Sequence, residues 1–550
     1  MSNCPLCRLL LSALENVNTI DSAEICILRE GSALKVRGGP RLLRICSNSG
    51  SSDTNYNDVQ IGFPVLPEIA SPIYFDLLRA WLRRCDESHE CNGDGAESER
   101  TLPSRLLYVG NSDPNILALH STATQIEIER YVALSHCWGD LSEEVKEQFC
   151  SSTKNICNRQ EGFGIEVLPR TFQDAIRVTR ELGQQYLWID SLCILQDDKG
   201  DWERESKLME CVFSSAYCVI AASSAVDSEA GFLKRDVTGR YIPIVGAMGR
   251  QIYICEDMDD FENDVDKALL NTRGWVLQER VLSRRTIHFS ANHTYWECGE
   301  GVCCENLNRL KSPKWKQYFV LDPIFPKRLL EAGTERTVDF LNSLFEGYSM
   351  RGLTQPTDRV TAIFGLQSRI ESTLGCEGRY GVLKDFLHRN LLWQRHGTEK
   401  MERIAYNNLK APSWSWMAYR GGIKFVDVSF ATSDDIRWQI ELIFDGERNY
   451  ALTGSLGKFW KCTIIQKGTR YAILNWRKSE RGWLQFDVEG STDLNTQRCV
   501  VVGRAGRGPE IKYFILVVRP TVMNGEYERV GVGLIQESHV SKLEGAIRIV

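Results

Sequence analysis

Between residues 101 and 300, short apolar runs of strand length alternate with amphipathic helical stretches. Few folds accept that alternation. Strands separated by single helices pair in parallel through right-handed crossovers, so the segment is expected to form an α/β unit with an open, mainly parallel sheet. "YVALSHCW" is a buried-strand candidate that ends at the turn signal Gly139-Asp140. "LPRTFQDAIRVTRELG" predicts a helix, with Thr171 as its cap and Asp174 completing an approximate capping box. Phe172, Ala175, Ile176 and Leu182 form its apolar stripe, and Gly183 is its stop. "YLWID" is the next strand. "DWERESKLMECVFSSA" is the next helix, with Trp202, Met209, Val212, Phe213 and Ala216 on one side. "YCVIAASSA" is the third strand. In such sheets ligands bind beyond the carboxyl ends of the strands. Here those ends carry Ser135, His136, Cys137, Asp190 and Ser223.

A chain of 550 residues is too long for one core and is expected to divide into several domains. Residues 1–100 form a Cys/His-containing module, with a Gly/Ser/Asn-rich loop in "GGPRLLRICSNSGSSDTNYND". In "SPIYFDLLRAWLRRCDESHECN" the positions Ile73, Phe75, Leu77, Leu78, Trp81 and Leu82 repeat at helical spacing. The polar run "NGDGAESER" marks a boundary. The α/β unit occupies 101–300, with its core at 131–285. Residues 301–410 read as mainly helical. From 411 to 550 the texture is β-rich: "YALTGSLGKF", "YFILVVRP", "RVGVGLI" and "AIRIV" are short strand-type runs broken by Gly, Pro and Asn. A small sandwich or barrel-like sheet is expected there.

The net charge of -6 is small for this size, and no basic patch dominates, which argues against a nucleic-acid partner. "MSNCPLCRLLLSALE" lacks a basic leader and has only a short apolar run, so it does not read as a signal peptide. No apolar run approaches a membrane span. Nineteen cysteines in a chain expected to be cytoplasmic point to reduced thiols, as core filler or metal ligands.

Four groups carry candidate chemistry. Cys4 and Cys7 form a C-x-x-C, and Cys85, His89 and Cys91 follow on a second segment. Zinc takes four such ligands in a tetrahedron, so five candidates compete for four places in a structural site. Reduced core or surface thiols remain the alternative. "LSHCWG" offers Ser135, His136, Cys137 and Trp138. Neighbours on a strand point to opposite faces, which disfavours a Cys-His hydrolase pairing and leaves Trp138 packing on the sheet. In "YLWIDSLCILQDD", Asp190 either binds a ligand hydroxyl or caps the following turn, and Cys193 reads as core. Glu205 on the next helix reads as a solvated or salt-bridged residue. In "TRGWVLQERVLSRR", Trp275 and Glu279 lie one helical turn apart. Spacing alone allows a pocket carboxylate beside an indole, or an ion pair of Glu279 with Arg273 or Arg280.

The ordered series "YVALSHCWG", "LPRTFQDAIRVTRELGQQYLWIDSLCILQDD", "DWERESKLMECVFSSA" and "TRGWVLQERVLSRR" resembles the fungal heterokaryon-incompatibility (HET) domain family over residues 131–285. "WLRRCDESHEC", "TDRVTAIFGL" and "APSWSWMAY" are similar to segments flanking that domain in larger proteins. The resemblance implies a role in allorecognition, with growth arrest or cell death after fusion of unlike hyphae, through self-association or a protein partner. The HET domain in turn resembles the TIR fold, a parallel α/β sheet of flavodoxin-like type. Some TIR domains cleave NAD with a glutamate following a tryptophan-cysteine pair. "RGWVLQE" is similar to that segment, with Val276 where the cysteine would stand. A long stretch also separates it from "YCVIAASSA". By this resemblance Glu279 is the candidate catalytic residue and NAD the candidate substrate. Ser135, Trp138, Asp190, Arg273, Trp275 and Gln278 are the candidate substrate-binding residues.

Overall fold

The computed structural model describes residues 4–15, 25–39, 41–47, 60–92, 102–123, 128–235, 240–245, 251–256, 260–307, 309–310, 319–397, 401–406, 411–428, 437–438, 440–445, 449–488, 497–506, 511–541 and 543–550. The Gly/Ser/Asn-rich run at 48–59 and the boundary run at 93–100 lie outside the described residues. The chain divides into two units, Met1–Asn271 with Glu279–Phe325, and Thr272–Gln278 with Pro326–Val550.

The first unit is mixed α/β and built on a ten-stranded sheet. Its order is Arg309–Leu310, Gly301–Cys304, Thr294–Cys298, Arg285–Phe289, Cys218–Ala221, Val132–Ser135, Tyr186–Trp188, Arg105–Tyr108, Ile116–Ser121, Phe163–Gly164. The three expected strands are present and parallel, and Arg285–Phe289 joins them as a fourth. Both flanks are antiparallel, so the expected mainly parallel sheet is corrected to a parallel centre with antiparallel wings. In the wing beyond Arg285–Phe289 the reason is local. Phe289 pairs with Thr294, and Cys298 with Gly301, so the chain returns at once through short turns. A return that short permits only antiparallel pairing, because a parallel crossover needs a dozen or more residues.

The helix after the first parallel strand spans Arg170–Glu181, with Phe172, Ala175 and Ile176 buried, and Gly183 adopts φ +75 at its end. Its start differs from expectation. The N-cap is Pro169, with no side-chain cap bond. Thr171 instead donates to the Asp227 carbonyl (3.0 Å) and accepts from Gly231 N–H (3.1 Å). Asp174 accepts from the N–H groups of Phe232 (2.8 Å) and Leu233 (3.1 Å). The two expected capping residues therefore fasten the loop that follows the Cys218–Ala221 strand. Glu205 also departs from expectation. It is 2 % exposed and accepts from the Ser104 hydroxyl, so it is a core carboxylate and not a solvated one.

A second sheet of six strands belongs to the same unit. Arg41–Ser47, within the stretch expected to be loop, pairs with Gln251–Glu256 from the long segment after the third parallel strand. The helix Pro5–Glu15 places Leu9 and Ala13 on Leu42, Leu43 and Ile254. The chain's start and the long insertion thus share one core.

The second unit contains the expected β-rich region. Strand Asn449–Gly457 pairs with Arg498–Ala505 and Ala546–Ile549. Glu526–Gln536 pairs with Ala546–Ile549 and Lys512–Pro520, and the latter returns to Arg498–Ala505. The circuit closes, which gives a barrel-like sheet without a free edge between these five strands. Its apolar centre includes Val500, Leu516, Val532 and Ile549. The preceding region carries the helices Gly333–Ser349 and Phe364–Leu374 and the buried indoles Trp393, Trp414 and Trp416.

His388 gives this unit a pH signature. Its ring stacks on Trp438 at 4.0 Å. Burial, with the Arg389 charge beside it, pushes its pKa down from 6.5 to about 4. The unfolded chain then binds more protons than the folded one below pH 6.5. Stability is expected to be full above that value and to fall as pH drops toward 4. Urea unfolding across that range should show the slope in the wild type and a reduced slope in His388→Phe.

Candidate functional site

The parallel strands fix where a site can form. From Val132–Ser135 the chain moves out to Tyr186–Trp188 on one side, then crosses back to Cys218–Ala221 on the other and on to Arg285–Phe289. The direction of winding reverses between Val132–Ser135 and Cys218–Ala221, and a crevice opens at such a switch point beyond the strand ends. Ser135 to Trp138 leave one of those ends, and Ser223 and Ser224 leave the other.

Two hydrogen-bonded pairs stand there. Ser135 Oγ donates to Glu279 Oε2 at 2.5 Å, with Ser135 4 % and Glu279 8 % exposed. Trp138 Nε1 donates to Asp190 Oδ2 at 2.8 Å, and His136 Nδ1 lies 3.9 Å from Asp190 Oδ1. The His136 ring meets Phe172 edge-on at 5.0 Å and stacks on Trp138 at 6.5 Å. Asp190 Oδ1 also accepts from Ser191 N–H at 2.7 Å, so this carboxylate both caps its turn and orients the indole. The hydroxyls of Ser223 and Ser224 are buried with no hydrogen-bond partner among the described residues, which leaves them for a ligand or water.

Arg280, one of the two ion-pair partners that spacing allowed for Glu279, is committed elsewhere. It pairs with Asp266 (2.7 Å) and Glu297 (2.9 Å). Cys193 is buried core, as expected. Arg273, Trp275 and Gln278 belong to the second unit. Arg273 forms a parallel bridge with Gly352, the Trp275 indole hydrogen-bonds the Asp358 carboxyl, and Gln278 Oε1 accepts from Leu366 N–H at 3.4 Å. Gly274 N–H donates to the Gly352 carbonyl at 2.7 Å, and a Cβ there would stand 2.5 Å from Leu353 Cδ2.

A second cluster lies in the first unit. The helix Pro72–Ser88 is capped by Ser71 and opens with Pro72 at N1. It ends with Cys85 in its last turn and His89 as an extended C-cap. A 3-10 turn, Glu90–Asn92, then carries Cys91 back. These three meet Cys298, the last residue of the Thr294–Cys298 strand. One ligand atom from each of the four lies within 4.8 Å of all the others, and the three thiols are buried. Cys298 Sγ is 3.5 Å from His89 Nδ1. Hydrogen bonds from Cys85 and Cys91 hold the Cys298 thiol well below its ordinary value, while the Cys298 sulfur pushes Cys85 up. Gly299 makes room: a Cβ there would stand 2.9 Å from the Pro323 ring and 3.1 Å from Cys91 Sγ. A cavity of about 260 Å³, lined by Trp81, His89, Trp296, Cys298 and Cys303 among others, opens beside the group. The four residues could hold a metal ion.

Of the five ligands expected from sequence, Cys85, His89 and Cys91 are brought together. Cys4 and Cys7 stand apart from the group at the start of the Pro5–Glu15 helix, where Cys7 N–H donates to Cys4 Sγ at 3.4 Å. Cys298 was missed. Its available signal was a thiol in a Gly-flanked hairpin turn, "ECGEG".

Residues 131–279 match the family described as Heterokaryon incompatibility protein (HET). This chain is a HET domain-containing protein. The HET match begins at the residue before the first parallel strand and ends on Glu279, so it contains both hydrogen-bonded pairs at the switch point. It contains neither the Pro72–Ser88 helix nor Cys298. No curated protein and no solved structure matches the chain. Among the described residues, no helix is long and apolar enough to cross a membrane.

Proposed function

We propose that this protein is an effector or signalling component of fungal heterokaryon incompatibility, acting in the cytoplasm. It triggers growth arrest or death when its HET domain meets a protein partner or another copy of itself. The observation that carries this reading is the HET match across the switch point of the parallel sheet.

A second reading, cleavage of NAD, is favoured by one specific observation. Glu279 is a buried carboxylate at the strand ends, oriented by the Ser135 hydroxyl, while Arg280 pairs elsewhere. In that reaction the bond from ribose to nicotinamide breaks and nicotinamide leaves as a neutral base. Glu279 stabilises the cationic sugar, and water completes the hydrolysis with release of a proton. The unpartnered Ser223 and Ser224 hydroxyls suit a ribose-bearing ligand.

One experiment separates the two readings. The full chain is induced in a filamentous fungus, wild type and Glu279→Gln, with viability and cellular NAD followed together. The glutamine keeps an acceptor for Ser135 and removes the charge. NAD cleavage predicts death preceded by NAD loss, with the cleavage rate lowered about 100-fold or more in Glu279→Gln. Death at constant NAD leaves the signalling reading alone. Undisturbed growth when the chain and its partner strain are combined would sink both.

For the thiol–imidazole group the ion is read as zinc. Three thiolates and one imidazole in a closed tetrahedron are a zinc donor set, and zinc–sulfur bonds of about 2.3 Å place sulfurs about 3.8 Å apart.

A further inference from the structure

We infer that the ion held by Cys85, His89, Cys91 and Cys298 is a structural clasp that makes the segment 72–91 a working part of the HET sheet. The inference rests on the zinc reading of that group and adds what the ion does.

Three ligands within seven residues do not close a tetrahedron by themselves. The fourth comes from Cys298, 209 residues from His89 in the chain. An ion bound to all four therefore ties the end of the Pro72–Ser88 helix to the Thr294–Cys298 strand. That strand is the direct neighbour of Arg285–Phe289, the fourth parallel strand. The rest of the helix is already laid along the same unit. Tyr74 Oη and Thr294 Oγ1 are 2.7 Å apart. The Trp81 and Trp296 rings lie 6.3 Å apart. Asp86 pairs with Arg285 at 2.7 Å and accepts from the Tyr217 hydroxyl at 2.7 Å. Arg79 donates to the Glu181 carbonyl at 2.6 Å, at the end of the helix Arg170–Glu181. These contacts join the helix to the strands Thr294–Cys298 and Arg285–Phe289 and to the helix Arg170–Glu181, and the ion adds a tie at its last turn.

The donor set is a closed one. All four positions of a tetrahedron are filled by protein, so the ion has no open position for a substrate and its role is structural. A bound cation takes every thiol as thiolate. Because the unfolded chain has no preformed site, binding feeds directly into folding.

The test uses the full chain. Metal content is measured on the wild type, on Cys298→Ser and on the pair Cys4→Ser, Cys7→Ser. Thermal unfolding and limited proteolysis within 72–91 are then followed on the wild type before chelation, after chelation and after zinc is returned. About one zinc per chain is expected in the wild type and in the N-terminal pair, and near none in Cys298→Ser. Chelation should lower the unfolding temperature of the HET-bearing unit by roughly 10 °C and open the segment to protease, with both restored by zinc. Zinc bound by the four ligands but with unfolding and proteolysis unchanged on its removal would overturn the clasp and leave the zinc reading standing. A wild type without metal, or with a disulfide among these thiols, would overturn both. Should Cys298→Ser not fold, the chelation arm on the wild type decides alone.

Discussion

Replacing Arg529 with methionine is expected to destabilise the β-rich unit by about 3–5 kcal/mol. Arg529 is 1 % exposed, and its ion pair with Asp487 is closed to solvent on both sides. The guanidinium donates to Asp487 through Nε (3.0 Å) and Nη2 (3.1 Å) and to the carbonyls of Leu391 and Trp393 at 2.6 Å each. It also sits 3.5 Å over the Trp393 ring. Methionine fills much of the volume but leaves Asp487 buried without a cation and two carbonyls without donors. Burial already pushes Asp487 up against the pull of Arg529. The variant's Asp487 should therefore take up a proton on folding. Urea unfolding read on the β signal gives the loss. The double variant Arg529→Met, Asp487→Leu should recover more than half of it, because removing both partners ends the uncompensated charge. A double variant no better than the single one would show that the carbonyl contacts, not the charge, set the cost.

Arg280→Met is expected to cost the HET-bearing unit a similar amount, about 3–5 kcal/mol. Glu297 is buried, with Arg280 Nε and Nη2 at 3.1 and 2.9 Å and His288 Nε2 at 2.7 Å. Burial alone would push this carboxyl up, but the Arg280 charge and the His288 contact outweigh it and hold the group well below 4.5. A carboxyl depressed in the folded state stabilises above its unfolded pKa, and that contribution is lost as pH falls below about 4.5. Without Arg280 the burial penalty is left exposed and the folded pKa rises. The deficit of Arg280→Met should therefore be widest near neutral pH and shrink on acidification, read as the difference between wild-type and variant unfolding curves. A deficit independent of pH would mean that Arg280 acts by packing on Phe261, 5.5 Å away, and not by charge.

Both predictions turn on pairings that the sequence left open. "QER" offers Arg280 to Glu279 at once, yet its partners are Asp266 and Glu297, reached only when the strand Thr294–Cys298 folds back. Sequence distance favours the neighbour; the backbone decides which way each side chain points. Glu279 instead accepts from Ser135, 144 residues away.

The three central strands, the helices Arg170–Glu181 and Lys199–Ser215 among those between them, and the barrel strands were legible because each follows a local rule. A run of apolar residues needs burial on both faces, a helical stripe on one, and Gly183 supplies a left-handed backbone at φ +75 cheaply. The antiparallel wings were less so, since a short apolar strand reads the same whichever way its neighbour runs. Thr171 and Asp174 carried a capping signal, and the structure spends them on the loop at 227–233. A side chain two or three residues into a helix can satisfy its own turn or a distant backbone with equal chemistry.

The sequence by itself determined the HET motifs, the order of the parallel strands' building blocks, and three members of the thiol–imidazole group within a single helical end. Those are properties of contiguous residues, set by periodicity, caps and turns. Only the tertiary structure decided the switch point, the Ser135–Glu279 pair, the fate of Arg280 and the place of Cys298 beside Cys85, His89 and Cys91. Each of these joins residues far apart in the chain. Their meeting depends on strand order and register, and a one-residue slip in register would turn every such side chain to the other face.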